Sequence, residues 1–145
     1  MTKLQIERWL QPQQKQVNHF YKTHNQNVSC HKRDIIFTVQ EQKAQESKLQ
    51  IIAAVFIRHL TTEQGELNLL RSLFVAPEYR NNKVASQLLN YVMQNTTSHL
   101  TTICEPNLVP LYLSAGFNIC EHPNQSKYLA KFIQQGKVVL TRESC

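Results

Sequence analysis

Apolar positions divide the first half of the chain into one helix-like segment and three strand-like segments. Residues 12–25 place apolar side chains at the i, i+3, i+4 and i+7 spacing of one helix face, which predicts a first helix. Three runs that are β-branched or almost continuously apolar then predict strands: Asp34–Gln40, Leu49–Leu60 and Glu66–Val75. The polar stretches between these strands predict turns, one over residues 40–48 and one ending at Gly65.

The second half of the chain alternates helices with strands. Apolar residues on one face predict a helix over residues 82–94, and Leu100–Cys104 is a short apolar strand. A strand, a helix and a neighbouring strand in that order indicate a right-handed crossover with parallel pairing. Three further elements are predicted: a short helix within residues 107–117, a helix over 125–136 and a strand over Lys137–Arg142. This order predicts a single domain over the whole chain, with an α/β (α+β) mixed sheet flanked by helices.

The charge of the chain does not indicate a nucleic-acid binder. The net charge is +6, but the sixteen Lys and Arg residues are scattered, and none lies between Val84 and Ser126. A nucleic-acid surface would need a basic run or stripe, with aromatic side chains where bases stack. We therefore expect no nucleic-acid partner, and the mildly basic surface suits a small anionic ligand such as a phosphorylated cofactor.

The cysteines and the hydropathy pattern do not indicate a metal site or a membrane segment. The four cysteines are at positions 30, 104, 120 and 145, and no two of them have a CxxC spacing. His24, Cys30 and His31 are close in sequence but lack a recognisable ligand spacing, so no metal is expected. No apolar run approaches the roughly 20 residues that cross a bilayer, and the N-terminus lacks the features of a signal peptide. We therefore expect a cytoplasmic protein with no membrane partner.

Two segments carry recognisable motifs: LLRSLFVAPEYRNNKVASQLLNYVM (69–93) and NLVPLYLSAGF (107–117). They resemble the cofactor-binding motifs of the GNAT family of N-acetyltransferases. Those motifs are a strand ending L-x-V-x-P, a loop (Q/R)-x-x-G-x-(G/A), a helix with paired leucines, and a later Asn followed by L-Y-x-x-x-G-F. The matching positions are Leu73, Val75, Pro77, Arg80, Ala85, Leu88, Leu89, Asn107, Leu111, Tyr112, Gly116 and Phe117. With the element order, the resemblance covers nearly the whole chain.

The resemblance implies a mostly antiparallel central sheet with one splayed parallel strand pair, acetyl-CoA as co-substrate, and no metal. The splay leaves unpaired backbone groups that need a ligand, and the pantetheine arm pairs there like an added strand. The backbones of Leu73, Phe74 and Val75 are expected to bind it, and the Val75 N–H to stabilise the oxyanion formed from the thioester. The pyrophosphate is expected over the start of the next helix, at Arg80, Asn81, Asn82, Lys83, Val84, Ala85 and Ser86.

The loop RNNKVA departs from the family pattern because it contains no glycine. Lys83 stands where the family usually has glycine, and Asn81 where it often does. Asn tolerates left-handed backbone, whereas Lys at a positive φ carries a strain cost that an ammonium–phosphate contact could offset. We interpret the segment as a working anion loop, whose affinity can be lower than that of the family's glycine-containing loops. The alternative is a plain helix N-terminus in a protein that has lost CoA binding.

Three side chains are candidates for chemistry at the site. By resemblance, Tyr112 hydrogen-bonds the cofactor sulfur and protonates the departing thiolate; the alternative is a tyrosine that only packs the pocket. Asn107 is expected to hydrogen-bond the pantetheine amide, and it could also, or instead, be a helix N-cap. Arg71 is a charge within an apolar strand, so it either binds an anionic group of the acceptor or forms a buried ion pair with Glu66, Glu105 or another acid.

These observations predict an acetyl-CoA-dependent N-acetyltransferase that transfers the acetyl group by direct attack of a primary amine in a ternary complex. A small-molecule acceptor is favoured over a protein. A general base is not evident: Leu69 occupies the position of a glutamate found in some relatives, and Glu63, Glu66 and His59 have no firm claim. The alternative from another class is a catalytically silent acyl-CoA-binding regulator. Since the family often dimerises, a homodimer is compatible with the resemblance.

Overall fold

A seven-stranded mixed sheet forms the centre of the molecule, in the order β1-β2-β3-β4-β5-β7-β6. The computed structural model describes residues 3–9, 14–42, 49–81, 83–121 and 126–143. The strands are β1 (Lys3–Trp9), β2 (Ile35–Gln42), β3 (Leu49–Thr62), β4 (Gly65–Val75), β5 (Leu100–Cys104), β6 (Asn118–Ile119) and β7 (Val138–Arg142). Every neighbouring pair is antiparallel except β4 and β5, which are parallel. The predicted fold class is therefore confirmed.

Within the described residues, the sheet is accompanied by the α-helices α1 (Gln14–Thr23), α2 (Val84–Gln94), α3 (Val109–Ala115) and α4 (Lys127–Gln134). Helix α2 buries the apolar stripe that the sequence predicts, with Leu88 and Leu89 fully inaccessible to solvent. Complete burial of one such leucine stabilises the fold by roughly 1.5–3 kcal/mol. Gly116 takes a φ of 110° at the end of α3, in the left-handed region that glycine adopts without strain.

The two faces of the sheet carry separate hydrophobic cores. Helices α2 and α3 pack on one face, where Leu88, Tyr112 and Phe117 join residues of β2 to β7. Helix α1 packs on the other face through Val17, Phe20 and Tyr21. The strands between them are covered on both sides, which explains why β3 contains a run of six buried residues.

The predicted elements are present, with shifts of a few residues at their ends, but two strands were missed. Strand β1 pairs with β2, and β6 is a two-residue edge strand on β7. β1 escaped prediction because its sequence, KLQIERW, contains few apolar residues and lies at an edge, where the hydrophobic pattern is weak. The predicted turn over residues 40–48 is strand up to Gln42, and residues 43–48 lie outside the described residues. Within the described residues, no helix has the length and apolar character needed to span a membrane.

Candidate functional site

The parallel strands β4 and β5 remain together over only two register pairs. Leu69 pairs with Thr101 and Leu70 with Thr102, whereas the next residues of β5, Ile103 and Cys104, pair with β7 and not with β4. The backbone of β4 after Leu70 therefore faces a gap on its β5 side. Buried N–H and C=O groups need partners, so this strand edge is suited to an extended ligand that pairs with it. The splay that the resemblance implies is thus present at the predicted strands.

A β-bulge in β4 lies at the start of this gap. One residue of β3, Val55, faces two residues of β4, Ser72 and Leu73, and Ser72 has a φ of 63°. A bulge bends the strand and redirects its backbone N–H and C=O groups. The bulge therefore interrupts the regular hydrogen-bond ladder between β3 and β4. The hydroxyl of Tyr21 in α1 donates a hydrogen bond to the Ser72 carbonyl oxygen over 2.8 Å. Sequence reasoning missed both features because a serine at positive φ has no local signal.

The Val75 N–H points into the gap. The Ala76 N–H donates to Ile52 of β3 over 2.8 Å, and Val75 pairs in register with Ala53. Because successive N–H groups along a strand point in opposite directions, the Val75 N–H is directed away from β3 and towards β5. This orientation suits a backbone donor to a thioester oxygen.

The glycine-free loop adopts the conformation that glycines would adopt. Lys83 has φ 62° and ψ 17°, and Asn81 has φ 68°, so both positions are left-handed. For lysine this conformation costs roughly 1–2 kcal/mol. Asn82 lies outside the described residues. Lys83 therefore meets the condition, a positive φ, under which the sequence predicts a strain cost at this position.

The loop leads directly into the N-terminus of α2. Lys83 is the N-cap residue, and its side chain has no acceptor oxygen with which to cap the first turn. Backbone N–H groups in the first turn of a helix have no partner within the helix, and the helix dipole favours an anion there. Ala85 and Ser86 are half-buried in this turn. The small Ala85 side chain leaves room for the close approach of a phosphate.

Arg80 links the loop to the strand edge. Its Nε donates to the Val75 carbonyl oxygen over 3.0 Å, and its guanidinium lies 5.1 Å from the centroid of the Phe74 ring. The side chain is solvent-exposed. Arg80 therefore brings a positive charge to the point where the strand edge and the anion loop meet.

The Tyr112 phenol lies at the closed end of the gap. Tyr112 is 5% exposed, and its phenol lies near Thr102, the last residue of β5 that pairs with β4. The Thr102 hydroxyl in turn donates to the Leu70 carbonyl over 2.8 Å. Burial raises the pKa of Tyr112 to about 12, Cys104 adds to the rise, and the Thr102 hydroxyl opposes it. The phenol therefore stays protonated, and a hydrogen-bond donor, at neutral pH.

Asn107 is exposed and lies in the short 3-10 helix Pro106–Leu108 that follows β5. The N-cap residue of α3 is Leu108, so the alternative that Asn107 caps this helix is wrong. Its contact with a pantetheine amide stays a prediction.

Arg71 is half-buried beside the bulge, without the ion pairs proposed from the sequence. Its Nε donates to the Ser72 hydroxyl over 3.3 Å, and its guanidinium lies 5.7 Å from the centroid of the Phe56 ring. Glu66 instead pairs with His59 and Glu105 with Lys137. Within the described residues, no carboxylate lies within ion-pair distance of Arg71. The buried ion-pair alternative is therefore wrong for both named acids.

A cavity of about 190 Å³ opens next to the gap, between the splayed strands and α4. Its described lining residues are Leu69, Leu70, Arg71, Ser72, Ile103, Tyr128, Phe132 and Lys137. Sequence reasoning missed the contribution of α4, although two aromatic residues four apart on an amphipathic helix were a usable signal. A larger groove of about 560 Å³ lies between α1 and the start of β3, and its lining includes no residue of β4 or β5. The smaller cavity is therefore the better candidate for an acceptor.

The candidates for a general base do not line this cavity. Glu63 pairs with Lys127 over 3.3 Å, and Glu66 lies 3.4 Å from His59. These three candidates, Glu63, Glu66 and His59, lie near the turn that joins β3 to β4. Leu69, at the position of a glutamate in some relatives, lines the cavity itself. Across the described ranges, no group of three or more His, Cys, Asp or Glu residues could hold a metal ion.

Comparison with known proteins identifies the family. A family model described as an acetyltransferase (GNAT) domain matches residues 8–134. Arabidopsis thaliana NAA60 in complex with acetyl-CoA superposes with a TM-score of 0.66 at 12% identity, covering 97% of this chain and 98% of that one. A GNAT acetyltransferase from Streptococcus pneumoniae gives 0.62 at 12% identity, covering 97% and 99%. The ribosomal-protein-S18-alanine N-acetyltransferase of Escherichia coli gives 0.58 at 14% identity, covering 96% and 92%. A comparison with curated protein sequences gave no match.

Proposed function

The chain belongs to the GNAT family of acetyltransferases, and from this premise we propose that it transfers the acetyl group of acetyl-CoA to the primary amine of a small molecule. The observation that carries the proposal is the splay of β4 from β5 next to a left-handed anion loop. The strand edge would bind the pantetheine arm, and the start of α2 the pyrophosphate. The cytoplasmic location, the single domain and the homodimer stay predictions from the sequence.

The reaction proceeds by direct attack in a ternary complex. The lone pair of the neutral amine attacks the thioester carbonyl carbon, and a backbone N–H on the gap side of β4 stabilises the oxyanion that develops. The C–N bond forms and the C–S bond breaks, so the electron pair of that bond leaves with the CoA sulfur. The nitrogen loses one proton to water. The products are an N-acetylated amine and CoA.

Tyr112 stabilises the departing sulfur. Its pKa of about 12 keeps the phenol protonated, so it donates a hydrogen bond to the thiolate as negative charge develops. A thiol with an ordinary pKa of about 8.5 is the stronger acid, so a complete proton transfer from this phenol is uphill by roughly 3–4 pKa units. Tyr112 therefore acts first as a hydrogen-bond donor, and a proton that it gives up is restored from solvent.

The cavity beside the splay supports a small acceptor. Its volume of about 190 Å³ is smaller than the roughly 300–1,000 Å³ of pockets that bind drug-sized ligands. Tyr128 and Phe132 of α4 form the wall opposite the strands, which leaves room for a compact molecule. The likeness to the ribosomal-protein-S18-alanine N-acetyltransferase of Escherichia coli is a likeness of fold, and it keeps a protein amine as the competing acceptor.

A catalytically silent CoA-binding regulator is the competing function. The strained residues Asn81 and Lys83 and the absence of an acid from the described cavity lining favour it. The position of Tyr112 favours an enzyme, because a pure sensor has no need of a protonated donor at the thioester.

The decisive experiment for the function is a thiol-release assay. Purified protein is mixed with acetyl-CoA and a panel of primary amines, and free CoA is followed with time. Amine-dependent release that falls in Tyr112→Phe supports the enzyme. Acetyl-CoA binding without release by any amine or N-terminal peptide would establish the regulator instead.

A further inference from the structure

We propose that the acceptor is a free amino acid with a compact apolar side chain, and that Arg71 binds its carboxylate. This inference rests on the proposed function and gives the acceptor its chemical class. The observation that carries it is an arginine in the cavity that no described carboxylate neutralises.

Two arginines flank the same aromatic ring, and among the described residues only one of the two arginines has a carboxylate partner. The guanidinium of Arg58 lies 5.1 Å from the centroid of the Phe56 ring and that of Arg71 lies 5.7 Å from it. Arg58 forms a two-pronged pair with buried Asp34, Nε to Oδ1 over 3.1 Å and a terminal nitrogen to Oδ2 over 2.7 Å. The one described side chain that accepts a hydrogen bond from the Arg71 guanidinium is the hydroxyl of Ser72. A carboxylate in the cavity would give Arg71 the partner that Asp34 gives Arg58.

The charge of the cavity also selects an anion. Arg71 and Lys137 bring two positive charges to the lining, and the lining contains no described acid. The Lys137 ammonium lies 3.8 Å from the Glu105 carboxylate, a long ion-pair distance, and that carboxylate is largely solvent-exposed. A polycationic acceptor would be repelled here, whereas a zwitterionic amino acid brings the compensating charge.

The remaining walls suit an apolar side chain. Tyr128 and Phe132 pack edge to face with their ring centroids 5.4 Å apart, across from Leu69 and Ile103. The Lys131 ammonium lies 4.5 Å from the Tyr128 centroid and 5.0 Å from that of Phe132. This contact holds the aromatic pair from the exposed side of α4. A volume of about 190 Å³ equals roughly six water molecules at about 30 Å³ each, which limits the acceptor to small amino acids.

The same positive charges assist the chemistry. An amine must be neutral to attack, and nearby positive charges lower the pKa of an ammonium group. Arg71 and Lys137 therefore favour the deprotonated amine, and solvent can take its proton. This accounts for a cavity with Leu69 where some relatives have a glutamate.

The test compares acceptors that differ only in the carboxylate. Thiol release is measured with L-leucine, L-leucinamide and 3-methylbutylamine, and with L-valine against 2-methylpropylamine. We expect kcat/KM at least tenfold higher for each amino acid. Arg71→Gln should lower kcat/KM for L-leucine at least tenfold more than for 3-methylbutylamine, because both amines lose the nearby positive charge and only the amino acid also loses its carboxylate partner. Arg71→Lys should recover part of the loss, and Lys22→Gln, which removes an exposed cation of α1 outside the lining, should have no effect on this preference.

Several results would overturn the inference while leaving the acetyltransferase intact. These are equal turnover of acid, amide and amine, an equal loss for all three in Arg71→Gln, or faster turnover of an N-terminal peptide than of the amino acid. The wild-type comparison and Arg71→Lys decide the matter even where Arg71→Gln does not fold. If no amine is acetylated, the proposed acetyltransferase function is wrong, but the carboxylate site can still be tested. The melting temperature of the CoA-bound protein is then measured with and without each acceptor. Stabilisation by leucine and not by 3-methylbutylamine would still support the carboxylate site, and no shift with either would overturn it.

Discussion

The Tyr21 hydroxyl donates a 2.8 Å hydrogen bond to the Ser72 carbonyl oxygen, which joins α1 to the bulge of β4. Ser72 holds a φ of 63°, a conformation that a serine adopts only where its surroundings stabilise it. The bulge begins the section of β4 that faces the gap. Tyr21 is therefore a positioning residue for the strand edge that would bind the cofactor.

Tyr21→Phe should lower the free energy of unfolding by about 1–2 kcal/mol, because a buried carbonyl loses its donor. It should also weaken acetyl-CoA binding severalfold, since the bulge sets the direction of the strand edge. Urea unfolding and calorimetric titration measure the two effects. Tyr91→Phe is the matched control, because that ring packs on Phe37 on the opposite face. An unchanged acetyl-CoA affinity in Tyr21→Phe would show that the bond serves stability alone.

Lys83→Gly should stabilise the protein by about 0.5–1 kcal/mol, because glycine removes the strain of a left-handed lysine and loses some of that gain to chain entropy. Its affinity for acetyl-CoA should change by no more than about threefold, since the wild-type backbone already has the required conformation. Lys83→Met separates charge from backbone, because it keeps the strain and removes the ammonium. A Lys83→Gly protein that binds tenfold more tightly would mean that Lys83 obstructs the site.

Tyr112→Phe should lower kcat by about 10- to 100-fold and leave the dissociation constant for acetyl-CoA within twofold of wild type, because the hydroxyl acts on the leaving sulfur. The pH profile adds a second readout. With a phenol pKa of about 12, the protonated donor is retained throughout the usual range, so kcat/KM should rise with pH as the amine deprotonates and show no fall up to pH 10. A descending limb between pH 8 and 10 that disappears in Tyr112→Phe would contradict this account.

Alkaline pH should destabilise the fold. Burial raises the pKa of Cys30 from 9.0 to about 12, and that of Tyr112 rises from 10.0 to about 12. A group whose folded pKa is raised stabilises the protein fully below its unfolded pKa and loses this contribution as pH climbs to the folded value. The free energy of unfolding should therefore be steady up to about pH 9 and decline between pH 9 and 12. Urea unfolding at pH 8 to 11 measures this, and Cys30→Ala should flatten the first part of the decline.

The parts of the fold that could be predicted are those with strong local patterns. Three patterns were sufficient to predict the family and the splayed strand pair: the apolar runs of β3 and β4, the apolar stripe of α2, and the motif around Tyr112. What escaped depends on distant contacts. Nothing local indicates that Ser72 takes a positive φ, because the bulge follows from the β3 register and from Tyr21 in another element. Likewise, Phe132 reaches the cavity only because α4 packs across the splayed strands, and β1 was too polar to stand out.

Calorimetric titration with acetyl-CoA, on the wild type and on Ala85→Glu, tests the central claim that the glycine-free loop is a working anion site. Ala85 lies in the first turn of α2, where a glutamate would add bulk and a negative charge against the phosphates. The predicted result is micromolar binding to the wild type and a loss of at least 100-fold in the variant, with unchanged unfolding behaviour. An absence of binding to the wild type, or equal binding by both proteins, would contradict the account.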